Sequence, residues 1–426
     1  MPPLRRSSAP LHAEHVGYLE LLRTNANVRR LWFGSVVSLF GDWFNTLAIY
    51  RIVQDQSGSA LALAAALVTK LLPLALASPL AGVLVDRFDR RRVMIGADLV
   101  RAVIVLGFLF VRDASDLWLL YTLASAQIVV SAVFMPAKSA LLPNITTNRE
   151  LLTANAWLSA TWSVMLAVGA AAGGLAVDVF GTDAVFVFDS LTYLLSAVFI
   201  ARMTVVSAPR EAASEKEPVL RAALRQVGEG WTYLRHHAGV RRIVWAKASW
   251  GAGGGALLLI LALLGDTLLP EAQTTGMGIL FAARGLGTGL GPVLARAAFP
   301  DASRWPLVLG ASIAATGLGY FALGLVPWTV WIAGFVVFAH AAGGANWVLS
   351  TTMLQQRSED RFRGRVIATD WLLVTLVESV SVMVGGVLLE VGMGLRAAVL
   401  LFAGIQVLSG VLWTLRVVPA ERVAAA

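Results

Sequence analysis

The chain contains no cysteine, and Asp, Glu, Lys and Arg make up only 14% of its 426 residues. Without thiols there can be no disulfide, zinc–thiolate site, iron–sulfur cluster or cysteine nucleophile. A soluble domain carries about 25% charged residues, so this chain lacks the charge to cover a water-facing surface of its size. Disorder is excluded too, because 57% of the residues are hydrophobic and disordered chains are polar. The phosphate-cradling pattern G-x-x-x-x-G-K-[ST] is absent, which argues against ATP-driven chemistry within the chain. The stretch His12-Ala13-Glu14-His15 has no further ligands beside it, and no serine–histidine constellation suggests hydrolysis. The sequence therefore predicts a non-enzyme with no metal and no cofactor.

What is present is a series of long apolar runs. A membrane-spanning helix needs about 20 mainly apolar residues. Twelve such runs are read, roughly at 28–53, 59–85, 91–111, 117–143, 151–179, 183–203, 241–267, 275–297, 304–326, 328–354, 365–389 and 394–417. They are too long for strands, and period-two alternation is missing. The formal net charge is +8, and the placement of the basic residues matters more than the sum. With the N-terminus inside, 27 of the 34 Lys and Arg fall in cytoplasmic segments and three outside, Arg51, Arg112 and Arg396. This is the positive-inside pattern. It predicts a multi-pass protein of the cytoplasmic (inner) membrane with both termini cytoplasmic. The basic excess then faces anionic lipid headgroups rather than nucleic acid. No signal-peptide pattern precedes the first run.

The expected fold class is an all-α membrane protein of two six-helix bundles, 28–203 and 241–417, with tails at 1–27 and 418–426 and a cytoplasmic linker at 204–240. Within the linker, Leu220, Leu224, Val227, Trp231 and Leu234 recur at helical spacing, predicting an amphipathic helix on the membrane surface. The two bundles read as a repeat. Asn27-Val28-Arg29-Arg30-Leu31 resembles Gly239-Val240-Arg241-Arg242-Ile243 at an offset of 212. Gly173-Gly174 maps to Gly385-Gly386, and Asp178 to Glu390, at the same offset. Ala154-Asn155-Ala156-Trp157 resembles Ala368-Thr369-Asp370-Trp371 at 214. Parallel six-helix halves of this kind are a transporter plan, with a substrate site between them near the midplane.

The loop after the second run reads Gly82-Val83-Leu84-Val85-Asp86-Arg87-Phe88-Asp89-Arg90-Arg91-Arg92. It resembles the major facilitator superfamily signature G-x-L-x-D-R-x-G-R-[KR], with Asp89 at the second glycine. Gly41-Asp42-Trp43, Asp98-Leu99-Val100-Arg101 and Arg363-Gly364-Arg365-Val366 resemble the bacterial drug and siderophore exporters of that superfamily, of the macrolide-efflux and enterobactin-exporter types. The resemblance implies a cytoplasmic gate in which Asp86 engages the start of span 11, with Arg87, Arg90, Arg91, Arg363 and Arg365 around it. Gly82 is expected to let helices approach closely. Gly169-Ala170-Ala171-Ala172-Gly173-Gly174 resembles the antiporter motif G-P-x-x-G-G with alanine in place of proline. The runs Gly251–Gly255 and Gly285–Gly291 lie within spans and are read as packing glycines rather than dinucleotide loops.

Charges within spans are the sharpest functional signal. Each costs about 2.5–3.5 kcal/mol at mid-span, so they must pair or face a wet cavity. Asp42, Lys70, Arg101, Arg284 and Glu378 fall there. Asp98 and Arg101, three apart, share a helical face and form an expected structural pair. Ser35, Ser38, Asp42 and Asn45 make a polar stripe on span 1. The resemblance places spans 1, 4, 7 and 10 around the central cavity. Asp42 is therefore the first candidate for proton coupling, or else a permanent partner of Lys70. Glu378 is the second candidate, with Arg284 as a prospective partner. Further cavity candidates are Ser38, Asn45, Lys70, Gln127, Ser131, Trp250, Arg284, His340 and Trp347, though His340 and the tryptophans also suit plain packing. The function expected is proton-coupled efflux of small amphipathic compounds by a monomer in contact with membrane lipids. A lipid or dedicated metabolite transporter, or a non-transporting scaffold or sensor on the same fold, stays open.

Overall fold

The computed structural model describes residues 16–205 and 218–425. His12–His15 and the linker residues Arg210 and Lys216 lie outside the described residues. The helices are α1 (Tyr18–Thr24), α2 (Ala26–Ser57), α3 (Ala60–Arg87), α4 (Arg90–Gly107), α5 (Leu117–Leu141), α6 (Asn148–Ala201), α7 (Val219–His236), α8 (Ala238–Leu268), α9 (Gln273–Ala298), α10 (Trp305–Leu325), α11 (Ile332–Arg357), α12 (Asp360–Glu390), α13 (Leu395–Leu412) and α14 (Val418–Ala425). Among the described residues there is no strand.

Local chemistry sets the helix ends. Asn25 caps α2 by accepting from the amides of Asn27 and Val28, and Ser59 caps α3 through the amide of Ala62. Both satisfy amides that no helical carbonyl reaches. The turn between α2 and α3 places Gly58 at φ 59°, where a side chain would be strained. At 1.5 Å per residue the 54 residues of α6 would run roughly 80 Å, far beyond a hydrocarbon core of about 30 Å. Gly181, at φ 79° and ψ 167°, breaks it into two arms.

Ten segments of the described chain are long and apolar enough to cross a membrane, α6 counted once. Helix α2 has the length at 32 residues, but it is not among the ten. Ser35, Ser38, Asp42 and Asn45 along its middle dilute its hydropathy. Hydropathy alone thus does not deliver the twelve spans expected.

In the first bundle α6 packs on α2 and α4, and α5 on α3 and α4. In the second, α12 packs on α8, α11 on α9 and α10, and α13 on α10 and α8. The bundles meet along two seams, α6 with α9 and α3 with α12. The 212-residue offset holds in the packing itself. A Cβ added at Gly173 would lie 3.0 Å from Cα of Phe44, and one at Gly385 would lie 2.8 Å from Cβ of Ala256. Phe44 and Ala256 are themselves 212 apart. Gly174 abuts the Thr274 carbonyl and Gly278 across one seam, and Gly386 abuts Leu61 and Ala64 across the other.

Helix α7 lies against α3 of one bundle and α12 of the other. Its expected single apolar stripe is divided. Leu234 is buried with Tyr233, Ala222 and Ala223, whereas Leu220, Leu224 and Trp231 stay exposed. The buried side docks on α12, where Glu229 pairs with Arg365 at 2.8 Å. The hydroxyl of Tyr233 accepts from the Glu359 amide at 3.2 Å.

Candidate functional site

The first bundle holds a polar cluster drawn from α2 to α6. Tyr193, fully buried on the second arm of α6, donates from its hydroxyl to Asp42. The same hydroxyl accepts from Gln127 of α5 at 2.9 Å. Lys70 of α3 reaches Asn45 at 3.4 Å and the Gln127 side-chain oxygen at 3.5 Å. Lys70 stands in the field of Asp42 and Asp189, but its hydrogen bonds go to amides. The direct Asp42–Lys70 pair entertained from sequence is therefore not formed, because Tyr193 occupies Asp42 and two amides occupy the ammonium. Asp42 and Lys70 are half-buried, while Asn45, Gln127 and Tyr193 are closed off. These two charges are the openings of an otherwise sealed cluster. Ser38 is buried on the same helix as Asp42.

Beneath it, Asp98 and Arg101 form a buried ion pair. Ser196 donates to Asp98 at 2.8 Å. The Arg101 guanidinium sits 4.3 Å from the Tyr193 ring centre and 4.8 Å from that of Phe134, and reaches Ser131 at 3.4 Å. Paired with Asp98, with only its Nε unpartnered, and flanked by aromatic faces, Arg101 reads as a structural charge. Asp189, fully buried one turn before Tyr193, accepts from Thr192 at 3.2 Å and leaves Oδ2 without a partner. Gly41 lets α2 approach at this point, since a Cβ there would collide with Thr192 and Asp189.

The second bundle carries its own pair. Lys247 of α8 and Asp370 of α12 are 2.6 Å apart and almost wholly buried. Lys247 also donates to Thr351 at 3.2 Å, and its ammonium lies 4.1 Å from the Trp347 ring centre. Trp371 stands edge-on to Trp347 at 5.0 Å, and Trp250 lies 6.5 Å from it with its indole N–H unpartnered. His340 bonds the Tyr320 hydroxyl at 2.8 Å, so its ring ties α11 to α10. Arg284 and Glu378 share a region between helices, each in the other's field, yet they form no ion pair among the described residues.

The gate residues divide. The side chain of Asp86 lies outside what the structure describes. Gly82 has open space where a Cβ would stand, so the close approach expected of it is absent here. Asp89 caps α4, accepting from the Arg92 amide at 2.9 Å, at φ −63°. A capping carboxylate thus serves where the signature has glycine, with no left-handed residue required. Arg90 donates to the Ala140 carbonyl at 2.8 Å, and Arg91 to those of Ile200 and Ala201. Both close the carbonyl ends of helices in their own bundle. Arg363 pairs with Asp360 at 2.7 Å. Gly169 packs against Trp43, at 3.1 Å from a would-be Cβ to the Trp43 Cβ.

Every hydrogen bond joining described residues of opposite bundles lies at the end remote from the basic loops. Asp178 of α6 accepts from the amides of Thr274 and Thr275 at 3.3 and 2.6 Å, at the start of α9. Glu390 of α12 accepts from the Ser59 hydroxyl and the Leu61 amide at 2.8 and 3.3 Å, at the start of α3. Gln54 donates to Asp266 at 3.2 Å, and Arg51 donates to Gln273. Gln54 and Asp266 are 212 apart, so a repeat residue touches its own equivalent, which places the pseudo-two-fold axis between them.

The family model for the Major Facilitator Superfamily matches residues 31–263, more than half of the chain. The chain belongs to the major facilitator superfamily. It is 29% identical over 219 residues to YfiS of Bacillus subtilis (strain 168), an uncharacterised transporter of this type, and 27% identical over 214 residues to macrolide efflux protein A of Streptococcus pyogenes. These matches take in 50% and 49% of this chain and 51% of each relative, so the chain spans about half the length of these relatives. BacE of Bacillus subtilis, a proposed bacilysin exporter, is 24% identical over 87% of this chain and 93% of its own. Among solved structures, the peptide transporter PepTSo superposes with a TM-score of 0.72 at 12% identity, over 94% of this chain and 99% of that one. A bacterial homologue of the lysosomal transporter Spinster, in an inward-facing unoccupied conformation, gives 0.67 at 15%, over 93% and 95%. At these identities the structures show the fold. The family is one of multi-pass membrane transporters of small molecules, not of enzymes.

Sequence reading missed Asp189, Tyr193, Lys247 and Asp370 as site members. Asp370 was visible as a charge in the repeat match, opposite Ala156, and Lys247 as a charge within a span. Asp189 and Tyr193 had a weaker signal, a carboxylate and a hydroxyl four residues apart on one face of an apolar run.

Proposed function

We propose that this protein is a secondary active exporter of small amphipathic compounds that exchanges substrate for protons. It sits as a monomer in the bacterial cytoplasmic membrane, with both termini inside and lipid around twelve spans. The twelve follow when α6 is counted as two arms and α2 as a span. The observation that carries the proposal is the half-open carboxylate of Asp42, set at mid-membrane in a cluster of Tyr193, Gln127, Asn45 and Lys70 that satisfies its neighbours without neutralising it by a direct ion pair. Such a group can take a proton from one side and give it up to the other as the bundles move. Asp98–Arg101 and Lys247–Asp370 are already paired and serve to hold their helices.

Alternating access is supported by the seam geometry. The outer ends are joined by Asp178, Glu390, Gln54 and Arg51, a state closed to the outside. The macrolide and bacilysin named for two relatives support an amphipathic substrate. The test is uphill transport in proteoliposomes. An imposed pH gradient should drive accumulation of a radiolabelled macrolide by wild type and not by Asp42→Asn, while both exchange labelled for unlabelled compound without a gradient. Gradient-driven accumulation by Asp42→Asn would reject Asp42 as the proton site.

A further inference from the structure

Arg284 differs from Lys70, Arg101 and Lys247. Those three each reach polar partners, whereas the Arg284 side chain makes no hydrogen bond among the described residues and its Nε is buried without a partner. Its neighbours on α9 fix where it points. Gly285 lies against α6, 2.6 Å from a would-be Cβ to the Ala167 nitrogen. Gly287 lies against α11, 2.9 Å from a would-be Cβ to the His340 Cβ. Phe281, one turn away, meets Tyr50 and Trp43 of α2 at 6.2 and 6.1 Å. Arg284 therefore projects into the space between the bundles, beside Tyr50 of one and Tyr320 of the other. Glu378 of α12 stands in the field of Arg284, its Cγ seated against α8, 3.0 Å from where a Cβ of Gly251 would stand. Both charges are half-buried.

A guanidinium and a carboxylate free to meet at low dielectric close into a bidentate pair. These two are held on separate helices and stay apart, leaving a positive and a negative wall, with the Phe281 ring centre 5.9 Å from the guanidinium. We propose that Arg284 and Glu378 form a recognition slot for a zwitterionic substrate. The planar fork of Arg284 takes a carboxylate, Glu378 takes an ammonium group, and Phe281 and Tyr50 take the apolar body. The proposal rests on the exporter reading only in assuming that the space between the bundles is the substrate path, and it narrows the substrate to compounds with both charges.

Equilibrium binding by isothermal titration calorimetry tests it with no gradient present. The probes are phenylalanyl-phenylalanine, its methyl ester and its N-acetyl derivative, added to the purified full chain in detergent. Wild type should bind the free dipeptide at least tenfold more tightly than either derivative. Arg284→Gln should weaken the dipeptide at least tenfold and leave the ester unchanged, with Arg284→Lys between. Glu378→Gln should weaken the dipeptide and leave the N-acetyl derivative unchanged. Equal wild-type affinity for acid and ester, no binding of the dipeptide, or equal weakening of acid and ester in Arg284→Gln would overturn the slot. The wild-type comparison needs no variant to fold. Its failure would leave proton-driven transport of other compounds untouched.

Discussion

Tyr193 joins three helices through one oxygen, donating to Asp42 of α2 and accepting from Gln127 of α5 while its own arm of α6 carries the ring. The ring face in turn covers the Arg101 guanidinium. One phenol therefore links the Asp42 carboxylate to the Asp98–Arg101 ion pair. The second bundle has a simpler arrangement, the Lys247–Asp370 pair. Removing one member leaves a buried charge without a partner, which costs about 3–5 kcal/mol. Asp370→Ala is expected to lower the thermal unfolding temperature sharply in detergent, and Lys247→Met with Asp370→Leu together is expected to restore most of it. An Asp370→Ala protein as stable as wild type would mean that water reaches the site. At this scale the sequence was partly legible. Charges in apolar runs marked Asp42, Lys70 and Arg284, since any such charge needs a reason. Beyond the i,i+3 pair of Asp98 and Arg101, it did not reveal who pairs with whom, because pairing depends on helix rotation and on contacts such as Asp42 to Tyr193, 151 residues apart.

Glycines act at the scale of helix pairs. Gly174 has the Thr274 carbonyl where its Cβ would be, and Gly404 on α13 has nothing there. Gly174→Val must push α6 from α9 at the seam between bundles, and overpacking of this kind costs about 1–3 kcal/mol. Gly404→Ala is expected to be neutral or mildly stabilising, because alanine favours helix by about 1 kcal/mol over glycine. Paired thermal unfolding curves check both, and a Gly174→Val protein as stable as wild type would contradict the close seam. Small-residue runs were legible as packing surfaces, but their partners were not. Gly82, prominent in the signature, meets nothing in this state. Helix α7 was legible as amphipathic, yet its division between a docked and an exposed side was not. Period alone does not tell Leu234, buried on the second bundle, from Leu224, left exposed.

Over the whole molecule the repeat was the most legible feature. An offset found in weak sequence matches reappears as matched packing, Gly173 on Phe44 and Gly385 on Ala256, and as matched caps, Asp178 on α9 and Glu390 on α3. The caps are charge-assisted hydrogen bonds, each worth about 1.5–3 kcal/mol, placed at helix N-termini that favour negative charge. Asp178→Asn combined with Glu390→Gln is expected to open the outer side. Spin labels on cysteines introduced at Asp55 and Glu271, in a chain with no native cysteine, should then report a longer distance population at least tenfold enriched. An unchanged distance distribution would show that apolar packing alone holds that end shut. In the exchange proposed above, what drives the next step depends on Asp42. Because coupling is reciprocal, a substrate gradient must move protons just as a pH gradient moves substrate. The most direct measurement is the luminal pH of proteoliposomes, followed with a trapped indicator while an imposed substrate gradient collapses. Wild type is predicted to move protons opposite to substrate, and Asp42→Asn to move substrate with no change in luminal pH. Equal proton movement by both proteins would contradict the account.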